Sequence, residues 1–140
     1  MREVPEVACL ACSNATVKPG IELVLNLAHG REACAWADVV ITGEGSIDSQ
    51  TPYGKVPSGI AKLAQSQGKP TIAIGGTVTR DPHTVEALNE TGIIATFGIA
   101  PGPADLTTLI ANTERNVEIT CAAIASTLRI TAATSPCESA

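Results

Sequence analysis

The segment from residue 43 to residue 55 holds most of the side chains that could do chemistry. It reads GEGSIDSQTPYGK and contains two carboxylates, Glu44 and Asp48, together with one ammonium group, Lys55. Carboxylates can orient a hydroxyl group or hold a divalent cation, and a lysine near the start of a helix can contact an anion. The segment therefore predicts Asp48, Glu44 and Lys55 as catalytic residues, with Asp48 and Glu44 also as metal ligands.

Glycines and neutral polar residues in the same region predict substrate binding. Glycine allows close approach of the backbone to a ligand, and the start of the following helix attracts anions. Ordinary turn chemistry is the alternative for each of these residues, including Asp48 as a local hydrogen-bond acceptor and Gln50 or Thr51 as helix caps. The candidate substrate-binding residues are Gly43, Gly45, Ser46, Gln50, Thr51, Gly75 and Gly76.

Neither of the two common phosphate-binding motifs fits this region. A P-loop would need glycine at Ser49 and a hydroxyl residue at Val56. The dinucleotide fingerprint would need a third glycine where Asp48 stands. Any phosphate site here is therefore of another kind.

Three short apolar runs predict the strands that would position these residues. Asp38–Thr42, Thr71–Ile74 and Ile93–Ile99 are continuous rather than alternating in hydropathy, as strands buried on both faces are. Ligands in open parallel sheets bind beyond the carboxyl ends of the strands. The segment after Thr42 is expected to be a loop at that edge.

Helical patterns separate the predicted strands. An apolar face of Val56, Ile60, Leu63 and Ala64 indicates a helix between the first two strands, and Asp81 can cap a second one. Two shorter helices are expected before the first strand, the first of them ending at Gly30. The last helix is expected to begin after Asp105 and to run unbroken, with an inward stripe of Leu106, Leu109, Ile110, Thr113, Val117, Cys121, Ile124 and Leu128. The order predicts an α/β fold, a parallel sheet with covering helices of the Rossmann-like or flavodoxin-like kind.

Composition narrows the class of protein. Fourteen acidic residues against nine Lys plus Arg give a net charge of -5, and the chain has no basic stripe for a nucleic-acid backbone. It has neither a signal-peptide core nor an apolar run long enough to span a membrane. We expect a cytoplasmic protein that acts on small molecules, without nucleic acid or membrane as partners.

The five cysteines do not form a recognisable framework. Their number is odd, and the Cys9–Cys12 pair lacks the second pair that a zinc site would need. Reduced thiols are therefore expected.

The chemistry-bearing segment belongs to a longer pattern that resembles a known family. VITGEGSIDSQTPYGKVPSGIAKLA, from Val40 to Ala64, is similar to a signature segment of bacterial-type (class I) glycerate kinases. The resemblance to the carboxyl-terminal part of that family continues through KPGIE (18–22), KPTIAIGG (69–76) and GIIATFGIAPGP (92–103). It covers residues 16–130, which leaves 1–15 unassigned and 131–140 as an expected disordered tail.

The resemblance implies a kinase that moves the γ-phosphoryl group of ATP to D-glycerate, with Mg²⁺, and gives 2-phosphoglycerate. Ser46 departs from the pattern, because the family often has arginine there. The family's glycine-rich segment and second α/β domain would precede KPGIE, so we expect an incomplete part of a two-domain kinase fold that is inactive alone. A homo-oligomer or a complementary amino-terminal chain is the expected protein partner. The alternatives are a non-catalytic nucleotide- or flavin-binding module, or a remnant that acts only by pairing with another chain.

Overall fold

The computed structural model describes residues 19–134. The unassigned segment 1–15, the Cys9–Cys12 pair and residues 135–140 of the expected tail lie outside this range. Three strands form one parallel sheet in the order β1-β2-β3, with β1 at Val40–Ile47, β2 at Thr71–Val78 and β3 at Ile93–Gly98. The predicted α/β class with a parallel sheet is confirmed.

Six helices accompany the sheet within the described residues. Two precede β1, one lies in each connection between strands, and two follow β3. They are α1 (Gly20–Leu27), α2 (Gly30–Trp36), α3 (Val56–Gln65), α4 (Pro82–Glu90), α5 (Leu106–Ala111) and α6 (Thr113–Thr134).

The core lies where α3 and α4 cover one region of the sheet. Its buried cluster consists of aliphatic side chains, in keeping with a chain that is only 2% aromatic. Burial of apolar surface is the main driving force that holds these helices to the strands. The cluster consists of Ile47, Ala61, Ala73, Leu88 and Ile93.

The buried face of α3 differs from the predicted one. Val56 is half exposed, whereas Pro57, Ser58, Ala61 and Ala64 are buried. The buried residues are smaller than the predicted Ile60 and Leu63, so this face allows the helix axis to approach β1 closely. The size of the side chains, as well as their apolarity, therefore determines which face of α3 packs against the sheet.

The break between α1 and α2 lies at His29 rather than at Gly30. His29 adopts a left-handed conformation with φ 52°, and Gly30 is the first residue of α2. A Cβ on Gly30 would lie 2.8 Å from Leu25 Cδ2. Gly30 is thus required for close packing of α2 on α1, and the prediction that it stops the first helix was wrong.

The carboxyl-terminal helix is interrupted once. Asn112 ends α5, and its side-chain amide donates to the Thr108 carbonyl at 2.8 Å, which caps the helix before α6 begins at Thr113. The expectation of one unbroken helix was wrong. Helix α6 extends to Thr134, four residues into the segment expected to be a tail. Within residues 19–134, no helix is both long and apolar enough to cross a membrane.

Only part of the predicted inward stripe is buried. Ile124 is buried, and Leu109, Val117 and Cys121 are partly buried. The exposed members of the stripe are Leu106, Ile110, Thr113 and Leu128.

Candidate functional site

Strand β1 is longer than the sequence pattern predicts, and this changes the setting of four candidate residues. The strand continues to Ile47, so residues 43–46 belong to it rather than to a loop. Pairing with β2 extends from Val40 opposite Thr71 to Ile47 opposite Val78. The loop that follows is therefore only residues 48–55. Gly75 and Gly76 likewise lie inside β2 and not at its end.

Close contacts explain three of the candidate glycines. A Cβ on Gly43 would lie 2.8 Å from the Ile74 carbonyl oxygen. One on Gly76 would lie 2.8 Å from the Gly45 carbonyl oxygen, and one on Gly75 would lie 2.8 Å from the Thr77 carbonyl oxygen. These three positions leave no room for a side chain. Gly45 itself has open space where a Cβ would be.

Thr51 connects the Glu44 carboxylate to the backbone of Asp48. Its side chain is fully buried, and its hydroxyl donates to Glu44 Oε1 at 2.6 Å while accepting from the Asp48 backbone N–H at 3.0 Å. The Thr51 backbone N–H also donates to the Asp48 carbonyl at 3.0 Å. Thr51 therefore fixes the start of the loop against the last part of β1, and its hydroxyl is fully engaged inside the protein.

Lys55 contacts both carboxylates from the other end of the loop. Its Nζ lies 3.1 Å from Asp48 Oδ1, 3.3 Å from Asp48 Oδ2 and 3.6 Å from Glu44 Oε1. Lys55 is also the residue that precedes the first turn of α3, so the loop and the helix together position its side chain. Asp48, Glu44, Thr51 and Lys55 form one network, which we call the carboxylate network.

The opposite charges of Asp48 and Lys55 stabilise each other. The Gln50 backbone N–H, which donates to Asp48 Oδ1 at 2.8 Å, and then the Lys55 ammonium hold the pKa of the Asp48 carboxyl below its usual value. The hydrogen bond to Asp48 raises the pKa of Lys55. Both groups are therefore ionised at neutral pH, and Asp48 is a weak base but a good acceptor for a hydroxyl or a cation.

Other candidate residues lie around this network. Ser46 accepts a hydrogen bond from the Thr77 hydroxyl at 3.0 Å, which links β1 to β2. Gln50 is exposed, and its backbone supports the turn because Tyr53 N–H donates to its carbonyl at 3.1 Å. This hydrogen bond is made by the backbone carbonyl of Gln50, so its side-chain amide remains a candidate for contact with the substrate.

The carboxylate network has a charge arrangement that fits Mg²⁺. Asp48 and Glu44 already direct their oxygens to one cationic group, the Lys55 ammonium. Mg²⁺ in phosphoryl-transfer sites is typically held by one or two carboxylates, with waters and phosphate oxygens as the other ligands. No group of three or more metal-ligating side chains occurs within residues 19–134. Asp48 and Glu44 are therefore the candidate Mg²⁺ ligands among the described residues.

A cavity that the sequence did not indicate lies beside the network. It has a volume of about 400 Å³ and lies between the carboxyl ends of β1 and β2 and the two helices α5 and α6. We call it the helix–sheet pocket. Its lining residues include Gly43, Gly45 and Gly76 from the sheet and Leu109, Asn116 and Val117 from the helices. Glu44 lines it as well, so the pocket and the carboxylate network adjoin.

Asn116 is the functional candidate that sequence reasoning missed. It is only 8% exposed, it lines the helix–sheet pocket, and its side chain has no hydrogen-bond partner among the described residues. The one sequence feature that points to Asn116 is its position three residues after Thr113. Residues three apart lie on the same face of a helix, so Asn116 shares a face with part of the predicted stripe.

The sequence of this chain matches a known protein family. The model of the glycerate kinase family matches residues 6–129 of the chain. A glycerate kinase of Bacillus cereus is 39% identical over 123 residues, covering 88% of this chain and 32% of that protein. The protein named glycerate 2-kinase of Escherichia coli is 41% identical over 92 residues, covering 66% of this chain and 23% of that protein.

A solved structure agrees with these sequence matches. The crystal structure from Salmonella typhimurium LT2, provisionally assigned as glycerate kinase 2, is 37% identical with a TM-score of 0.64. The match covers 89% of this chain and 30% of that one. The chain thus spans about a third of the length of the relatives it matches. On both sequence and fold, the chain belongs to the glycerate kinase family.

Proposed function

We propose that this chain supplies phosphoryl-transfer residues of an ATP-dependent glycerate kinase. The observation that carries the proposal is the carboxylate network, in which Asp48, Glu44 and Lys55 converge at the carboxyl end of β1. This is the edge at which parallel α/β sheets bind their ligands. Membership of the glycerate kinase family selects the reaction among those that such a network could serve.

The proposed reaction uses the network mainly for positioning. A hydroxyl oxygen of glycerate bonds to the γ-phosphorus as the bond from that phosphorus to the ADP oxygen breaks, and the hydroxyl proton leaves through Asp48 to water. Phosphoryl transfer has a loose transition state that gains little from a strong base. An ionised Asp48 with a lowered pKa suits this role, because it orients the hydroxyl without needing to hold the proton.

Lys55 and Thr51 have supporting roles in this proposal. The Lys55 ammonium neutralises charge on a phosphate or on the glycerate carboxylate. Thr51 acts as a positioning residue, because its buried hydroxyl holds Glu44 and the Asp48 backbone together. Asp48 and Glu44 would hold Mg²⁺, which neutralises phosphate charge when it is bound.

The proposed product is 2-phosphoglycerate. The resemblance stated above implies transfer to the 2-hydroxyl, and the Escherichia coli relative is named glycerate 2-kinase. The exposed Gln50 amide is the group that we propose for contact with glycerate.

We further propose that the chain works together with other parts of a kinase. Several large apolar side chains on the helices are well exposed and would be covered by such parts: Leu23 is 57%, Leu27 74%, Leu106 71% and Ile110 64% exposed. Its relatives are about three times as long as the matched region. These parts would complete the walls around ATP and glycerate.

A chimeric enzyme tests the proposal. Residues 6–129 of this chain replace the matched region of the Bacillus cereus glycerate kinase, and ATP turnover with D-glycerate is measured for the chimera and for its Asp48→Asn variant. We expect Asp48→Asn to lower kcat at least about 100-fold, the usual worth of a positioned catalytic carboxylate.

The matched control for this substitution is Asp38→Asn. Asp38 is exposed and precedes β1 at the opposite end of the strand, so the same chemical change there should leave kcat within about twofold of the unsubstituted chimera. Turnover of Asp48→Asn that matches this control, at saturating Mg²⁺, would remove Asp48 from the catalytic residues.

A further inference from the structure

The helix–sheet pocket has a chemical character different from that of the carboxylate network. Apart from Glu44, Thr77, Thr113 and Asn116, its lining residues are glycine or aliphatic. Such walls do not stabilise a small anion such as glycerate, because burying a charge without a partner costs free energy. A volume of about 400 Å³ lies in the range of pockets that bind cofactors and drug-sized ligands.

The sheet side of the pocket is rich in glycine, with Gly43, Gly45, Gly75 and Gly76 beside Glu44, Ile74 and Thr77. Gly43 and Gly76 leave no space for a Cβ, and Gly45 faces open space. Opposite them lie aliphatic side chains of α5 and α6, among them Leu109 and Val117. A flat apolar ring can stack on exposed peptide groups on one side and pack against aliphatic groups on the other.

Asn116 gives the pocket a specific polar contact. Its carboxamide carries both a donor and an acceptor, and neither has a partner among the described residues. Such an amide can pair with a ligand that enters the pocket. An asparagine amide pairs well with the adjacent amino group and ring nitrogen of adenine.

We propose that the helix–sheet pocket binds the adenine base of the nucleotide, with the Asn116 amide paired to its edge. This inference rests on the proposed kinase function for the identity of the nucleotide. Because Glu44 belongs to both the pocket and the carboxylate network, a base in the pocket would direct its phosphates toward Asp48 and Lys55.

Adenosine tests the base site separately from phosphoryl transfer, since it carries no phosphate. The 140-residue chain is titrated with adenosine and with purine riboside, which lacks the 6-amino group, while the Asn116 side-chain amide resonance is followed by NMR. We expect adenosine to bind with a Kd on the order of 0.1–1 mM and purine riboside to bind at least about fivefold more weakly. Asn116→Leu should weaken adenosine at least about tenfold and remove the preference between the two nucleosides.

Three further variants keep the test independent of folding defects. Gly45→Val fills the open space above β1 and should abolish binding of both nucleosides, while Gly20→Val, at an equally open position on α1, should not. Asn89→Leu, at an exposed position of α4, is the control for Asn116→Leu and should leave both affinities unchanged.

Three results would overturn the inference. They are failure of adenosine to bind at several millimolar, unchanged binding in Asn116→Leu, and unchanged binding in Gly45→Val. The first would indicate that a protein segment, rather than a base, covers the pocket. A chimera without glycerate-dependent turnover that still binds adenosine would count against the proposed kinase function alone.

Discussion

At the level of single residues, a backbone hydrogen bond and an ion pair act together on Asp48. The Gln50 N–H is the largest single cause of the lowered pKa, and Lys55 lowers the pKa further through a hydrogen bond and through its charge. A lowered pKa means that ionised Asp48 stabilises the folded chain above the unfolded-state pKa of 3.8, and that this stabilisation is lost as the pH falls through the folded-state value. At the alkaline end, the raised pKa of Lys55 keeps the ion pair intact until the pH exceeds 10.5.

The first prediction concerns this titration. In the 140-residue chain, the Asp48 carboxyl carbon should titrate below 3.8 in ¹³C NMR, and Lys55→Met should raise that pKa without bringing it to 3.8, because the Gln50 N–H remains. Lys62→Met, which removes an ammonium group from the far end of α3, should leave the Asp48 pKa unchanged. A wild-type value at or above 3.8 would contradict the described loop.

The second prediction concerns the role of Lys55 in the chimeric enzyme. Lys55→Ala should raise the apparent KM for ATP or D-glycerate more than it lowers kcat, because a lysine that neutralises a bound anion contributes mainly to ground-state binding. Steady-state kinetics with each substrate varied in turn measure this split. Lys62→Ala is the control, and equal kinetics for the two variants would remove Lys55 from the residues that bind ATP or glycerate.

At the scale of elements, the sequence predicted the identity of the strands better than their length. β1 was expected to end at Thr42, since Gly43 and Gly45 weaken a strand pattern. Pairing with β2 extends it to Ile47, because the glycines permit close approach where side chains would collide. A single sequence does not reveal which backbone lies opposite, and so the same glycines were predicted as loop residues.

The site was predictable to a similar extent. Asp48, Glu44 and Lys55 were singled out by residue type and spacing, and the structure brings them into contact. The hydrogen bonds of Thr51 to the Glu44 carboxylate and to the Asp48 backbone depend on the turn at residues 48–51, which spacing alone does not define. Asn116 was missed because it comes from a helix far along the chain, and only tertiary packing brings it beside β1.

The third prediction tests the strand geometry. Gly43→Ala should lower the free energy of unfolding by about 1–3 kcal/mol, because its Cβ would lie 2.8 Å from the Ile74 carbonyl oxygen, which is backbone and cannot rotate away. Gly45→Ala, two residues further along the same strand, has open space and should be neutral or slightly stabilising. Urea denaturation of both variants measures the difference, and equal stabilities would contradict the described register of β1 and β2.

At the scale of the whole molecule, the chain has a core sufficient for a fold but offers only part of a cleft. The core cluster joins the sheet to two helices, whereas α1 and α5 expose several large apolar side chains. A phosphoryl-transfer site must hold nucleotide, metal and acceptor in line and exclude water, which commonly requires loops from two domains. We therefore expect this chain to fold by itself without being catalytically active by itself.

Coupled measurement of ATP turnover, with and without D-glycerate, tests whether this chain serves a glycerate kinase. It is made on the 140-residue chain alone and on the chimera that carries residues 6–129 in the Bacillus cereus glycerate kinase. We expect the chimera to form ADP only when D-glycerate is present, at a rate within about tenfold of that of the parent enzyme. We expect the chain alone, shown to be folded by circular dichroism, to form none. A folded chimera whose ADP formation does not depend on D-glycerate would contradict the proposed function, and turnover by the chain alone would contradict its dependence on further segments.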